Sequence, residues 1–165
     1  MSIKLILEWL ENTPLAQAIA ESTYLFPLIE SIHVLAITFV VGSIAMVDLR
    51  LLGVTARDQR PARITADILP WTWAAFIVAA IAGFLLFSSQ AEKYFDNVPF
   101  RAKFVLMALA GLNMLVFQLF LGRDIQSWPE GAKTPVKAKI AGGISLTLWI
   151  GVVACGRWIG FTMFG

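Results

Sequence analysis

Four long stretches of this chain run almost free of charge, at about 25–52, 68–89, 100–121 and 136–164. Each is longer than the roughly 20 residues that a helix needs to cross the hydrocarbon of a bilayer. The polar residues gather between them, in Arg57-Asp58-Gln59-Arg60-Pro61-Ala62-Arg63, in Gln90 to Pro99, and in Arg123 to Pro135 with its Trp128-Pro129-Glu130-Gly131 turn. This pattern predicts an all-α polytopic membrane protein, an antiparallel bundle of four transmembrane helices joined by short connections. Residues 1–165 read as a single membrane domain.

Ahead of the first span the period changes. Ile3, Ile6, Leu7 and Leu10 fall on one side of a helix, and Lys4, Glu8 and Glu11 on the other. Residues 1–23 therefore read as short amphipathic helices in the membrane interface, a lid or anchor over one end of the bundle. Thr13-Pro14 separates two of them, with Thr13 as the N-cap and Pro14 at the first helical position. Glu8 and Glu11 interrupt the apolar run too early for a cleaved leader, so this segment is expected to stay on the mature protein.

Composition supports the membrane reading. Only 15% of the 165 residues are charged and mean hydropathy is +0.75, where a soluble domain carries about a quarter charged residues. A net charge of +2 gives no reason to expect nucleic acid. The lone Cys155 rules out an internal disulfide. Charge placement predicts orientation. The side holding the links after the first and third spans carries eight cations (Arg50, Arg57, Arg60, Arg63, Arg123, Lys133, Lys137, Lys139), against five on the other (Lys4, Lys93, Arg101, Lys103, Arg157). By the positive-inside rule both termini lie outside the cytoplasm.

The candidate chemistry centres on Glu30 and His33, the latter being the chain's single histidine. Ionisable groups inside a membrane are costly and point to function. Glu30, His33, Ile37, Val41, Ile44 and Asp48 follow at steps of three and four, so they share one stripe, expected to face the bundle interior. At 1.5 Å rise per residue, His33, Met107 and Arg157 each lie about 10 Å from the end of the bundle that holds the termini, with Lys103 and Glu30 shallower. These five form the candidate site, and Asp48 and Gln118 belong to the opposite end. Lys103, Met107, Ala110, Met114 and Gln118 line one face of the third span, and the fourth carries a Gly156-x-x-x-Gly160 pair.

Three uses of the site compete. His33 suits a haem b iron as axial ligand, with Met107 on the other side and Arg157 and Lys103 facing propionates. Imidazole and thioether also suit copper. The third use is a cofactor-free structural or accessory subunit in which Glu30 pairs with Arg157. A di-iron bundle needs further carboxylates and a second histidine that the chain lacks. No nucleophile-base constellation or phosphate loop is present, so the chain is not expected to be an enzyme on its own.

Ser31-Ile32-His33-Val34-Leu35-Ala36 followed by Val41-Gly42-Ser43 resembles the first-helix signature of copper-resistance D-like and b-type cytochrome-like four-helix membrane proteins. Phe100-Arg101-Ala102-Lys103-Phe104-Val105 with Gly111-Leu112-Asn113 looks like their third-helix pattern. More closely, Phe26-Pro27-Leu28-Ile29-Glu30-Ser31-Ile32-His33 with Val47-Asp48-Leu49-Arg50-Leu51-Leu52-Gly53 resembles a family of short bacterial integral membrane proteins of unknown function. The resemblance implies a bacterial inner-membrane location. It also implies haem or copper as ligands through His33. The lipid bilayer is the expected environment, and a homo-oligomer or larger membrane complex the expected assembly. The chain departs from multi-histidine relatives in having no second histidine, so one chain cannot supply two-histidine ligation.

Overall fold

The structure, a computed structural model, describes residues 3–55, 61–125 and 134–164. The expected Trp128–Gly131 turn and the cations Arg57, Arg60 and Lys133 lie outside the described residues. Among the described residues every regular element is a helix: α1 (Ile3–Glu11), α2 (Pro14–Glu21), α3 (Leu25–Leu52), α4 (Pro61–Ser89), α5 (Ala91–Asp96), α6 (Val98–Ile125) and α7 (Val136–Phe164). α3, α4, α6 and α7 are each long and apolar enough to cross a membrane. The chain is an all-α, four-span, multi-pass membrane protein.

Local sequence explains most boundaries. Thr13 caps α2, its Oγ1 accepting the Ala16 N–H at 3.4 Å, with Pro14 following where no N–H is needed. α3 ends at Gly53, which takes the left-handed conformation (φ 77°) and donates its N–H to the Arg50 carbonyl at 3.0 Å. Two boundaries depart from the sequence pattern. α4 begins at Pro61 rather than near Asp67 or Pro70 and absorbs Pro70. A proline at the first position suits a helix start, and the later one removes a single backbone bond. The polar link after α4 folds into α5, helped from a distance: the Glu11 carboxylate accepts the Glu92 N–H at 2.9 Å. Asn97 then serves two helices. Its N–H closes α5 on the Tyr94 carbonyl, and its Oδ1 accepts the Phe100 N–H at 3.0 Å to open α6.

The backbones pack in the order α4, α3, α7, α6, with α3 holding α4 on one side and α7 on the other. Small residues let them approach: Ala36, Val40 and Ser43 of α3, Ala79 and Ala82 of α4, Ala110 of α6, and Ala138 and Val152 of α7 are buried. Large apolar side chains point outward, as in Leu35, Leu119 and Phe161, each 70% exposed. Water would not tolerate so continuous an apolar exterior, and lipid does. At the end that holds the termini, Phe87 of α4 stacks on Phe100 of α6 with centroids 5.5 Å apart, and Phe104 and Tyr94 pack against Phe100. α1 and α2 sit over this end: α1 packs on α5 and α4, and α2 on α4 and α3. Leu7, Ala16 and Ile19 are their buried anchors, while Ile3, Ile6 and Trp9 stay exposed.

Candidate functional site

α3 meets α4 at a ring and a gap. His33 projects from α3 and donates Nδ1–H to the backbone carbonyl of Ala79 at 2.8 Å. A carbonyl only accepts, so this bond fixes the proton on Nδ1. The imidazole lies against Gly83, where an added Cβ would stand 2.7 Å from His33 Cε1 and 3.2 Å from Nδ1. Any side chain at position 83 would push the ring away. Ala79 and Gly83, four residues apart, thus build a seat on α4: one supplies the acceptor, the other the space. Among the described residues, the Ala79 bond is the only hydrogen bond to the ring, which leaves Nε2 for a ligand.

Lys103 of α6 is half-buried and lies within electrostatic reach of His33 and of the free Cys155 on α7. Three helices, α3, α4 and α6, therefore contribute to the surroundings of one imidazole, and α7 adds Cys155 near Lys103. Met107, one turn past Lys103, is half-buried on the same helix, and the face they share reaches full burial at Ala110 before Met114 and Gln118 emerge on the surface. Glu30 and Arg157 are both exposed, and the structure does not join them in the ion pair that depth alone allowed. Glu30 instead lies near Tyr94 of α5. Burial first, and the Glu30 charge second, push the Tyr94 phenol above its ordinary value.

The expected ionisable stripe of α3 is only partly inward. Glu30 is exposed, His33 half-buried and Asp48 buried. The tightest packing runs along Ala36, Val40 and Ser43, because small residues bring backbones closer than an imidazole can. Sequence reasoning missed the Ala79–Gly83 seat, Cys155 and Tyr94. The small-x-x-x-small spacing of Ala79 and Gly83 was the available signal for the first. The Gly156–Gly160 spacing drew notice instead, yet a Cβ at either would meet nothing within 4 Å.

Among the described residues, no three His, Cys, Asp or Glu side chains come together to hold a metal ion. Fold and composition thus define a multi-pass membrane protein with a histidine seated between two spans. Residues 6–162 match a family of unknown function, DUF6644, and the chain belongs to it. The match carries this family and not the copper-resistance D-like or cytochrome-like group. No curated protein and no solved structure matches the chain.

Proposed function

We propose that this protein holds a b-type haem through His33 and acts as a small electron-transfer or membrane-anchor subunit in a bacterial inner membrane, with both termini outside the cytoplasm. One observation carries the reading: the His33 ring is oriented by the Nδ1–H bond to the Ala79 carbonyl and seated on Gly83, with Nε2 left over. That outer bond is the usual partner of a metal-bound imidazole, fixing its tautomer and plane. Haem brings its own equatorial nitrogens and asks the protein only for axial ligands, so a site with one histidine and no metal cage fits it better than it fits copper. When bound, haem supplies one-electron chemistry at its iron. This chain's residues orient the axial imidazole, and Lys103 offers a cation for a carboxylate. Met107 would be the candidate for a second protein ligand, and the exposed Arg157 and Glu30 would be candidates for contacts at the rim. A second copy of the chain is the other source of an axial ligand.

A structural reading has its own support, since the same His33–Ala79 bond ties α3 to α4 with no cofactor at all. Absorbance separates the two. Protein purified in detergent from haem-replete cells is expected to show a Soret band that shifts on adding dithionite, and His33→Ala is expected to lose it. Absence of the band from the wild type overturns the haem reading, and lost stability of His33→Ala in that case supports the structural lock. Metal analysis of the same sample tests copper.

A further inference from the structure

The far end of α3 holds a carboxylate that the haem reading does not use. Asp48 is 95% buried, being 5% exposed. Its Oδ2 is shut off from solvent and has no hydrogen-bond partner, and the Ser145 side chain of α7 supplies a hydrogen bond to the carboxyl group. α7 is pressed against this turn: a Cβ on Gly142 would stand 3.1 Å from the Asp48 carbonyl oxygen and 3.1 Å from Leu51 Cβ. An ionised carboxylate with one bare oxygen, inside a membrane and walled in by a neighbouring helix, is strongly disfavoured.

Among the described residues, no cation is a hydrogen-bond partner of that oxygen. Arg50, on the same helix, is buried and directs its guanidinium to the Thr134 hydroxyl at 3.4 Å. α7 carries Lys137 and Lys139 at this end, both exposed, and α4 carries Arg63 and Asp67, both exposed. None of these is a hydrogen-bond partner of Oδ2. The Thr72 hydroxyl of α4 is spent on Ser43, at 2.8 Å.

We infer that Asp48 is a proton-binding site, its bare Oδ2 carrying a proton inside the membrane at the end opposite His33. The ligand follows from the number of donors. Hard metal cations take about six oxygens or more, whereas this site offers one carboxyl and one hydroxyl, and among the described residues no metal-holding cluster exists. A proton needs one oxygen. Once protonated, Oδ2 becomes a donor, and helix carbonyls accept from side-chain hydroxyls in the same way that they do from serine and threonine.

The test uses the full chain in detergent micelles, read by infrared spectroscopy with circular dichroism as the fold control. The wild type at neutral pH is expected to show the carbonyl stretch of a protonated carboxylic acid. Asp48→Asn is expected to remove that band while keeping the helical signal. Ser145→Ala is expected to keep the band and shift its frequency, because a hydrogen bond to that carboxyl group is lost. As pH rises, the apparent Tm of the wild type should fall relative to Asp48→Asn, since the folded state then has a proton to lose that the unfolded chain has already released. A band that Asp48→Asn leaves in place overturns the inference. So does a band that Ser145→Ala leaves unshifted, which decides the matter should Asp48→Asn fail to fold. Stabilisation of the wild type, but not of Asp48→Asn, by sodium over choline would assign the site to a metal ion and also overturn it.

Discussion

α3 carries an ionisable group near each end, one half-buried and one buried, and the two are held in opposite ways. His33 meets a carbonyl that it can satisfy and a glycine that makes room for it, and keeps one nitrogen in reserve. Asp48 meets a helix pressed against its backbone, receives one hydroxyl, and keeps one oxygen with nothing. The glycines differ correspondingly. Gly83 spares a side chain, the imidazole, whereas Gly142 spares backbone, the Asp48 carbonyl. A seat made for a side chain marks that side chain as the object of the packing. A seat made for backbone marks the helix crossing, and the carboxyl beside it is enclosed as a result.

The largest expected effect tests this contrast directly. Gly83→Ala should lose any bound haem outright and cost about 1–3 kcal/mol through overpacking, offset by the roughly 1 kcal/mol that alanine gains over glycine in a helix. Removing the ring should relieve the clash, so Gly83→Ala combined with His33→Ala is expected to be more stable than the sum of the single changes by about 0.5–3 kcal/mol. Denaturation of the four proteins in one detergent measures the coupling, and strict additivity would break the picture of a seat built for the imidazole. Gly142→Ala should cost a similar amount, about 1–3 kcal/mol before the same offset. Its clash is with backbone and with Leu51 Cβ, so Asp48→Asn should give no rescue, and rescue in the same assay would show that the carboxyl group sets the spacing there.

A smaller effect probes the cover over the His33 end. Thr13→Ala removes the cap of α2 and should cost about 1 kcal/mol, seen as faster amide exchange in α1 and α2 with α6 and α7 unchanged. Equal exchange throughout would mean that the cover and the spans unfold as one unit. The smallest effect is silent near neutrality. In a Tyr24→Phe background, the Tyr94 phenolate absorbance should appear only at pH above the ordinary tyrosine value of about 10, and Glu30→Gln should lower that midpoint. The sign for stability follows. A folded-state phenol held above its unfolded value contributes fully below the unfolded value and loses that contribution as pH rises through the folded one. An unmoved midpoint in Glu30→Gln would separate Glu30 from Tyr94.

The sequence by itself determined the parts that depend on length, composition and local backbone chemistry. Four spans follow from four long runs with few charges, because backbone polar groups in lipid must be satisfied within a helix. The Thr13 cap and the Gly53 stop follow from what those residues do to the chain beside them. Depth along the membrane was legible too, since helical rise is constant, and it placed His33 and Asp48 at opposite ends. Azimuth was not legible. The spans are apolar on every side, because lipid and protein interior make nearly the same demand of a side chain, so no amphipathic face tells inward from outward. Depth alone therefore put Arg157 and Glu30 beside His33, whereas both face outward. Only the tertiary structure chose Ala79 as the acceptor, Gly83 as the seat and Lys103 as the nearby cation. The same limit applied to the connections. α5 owes its start to a carboxylate 81 positions away in the chain, from Glu11 to Glu92, and no local pattern encodes a cap delivered across the fold. His33 was visible in the sequence as an expensive residue, but what made it a site was the small pair on the next helix, whose meaning depends on which way that helix is turned.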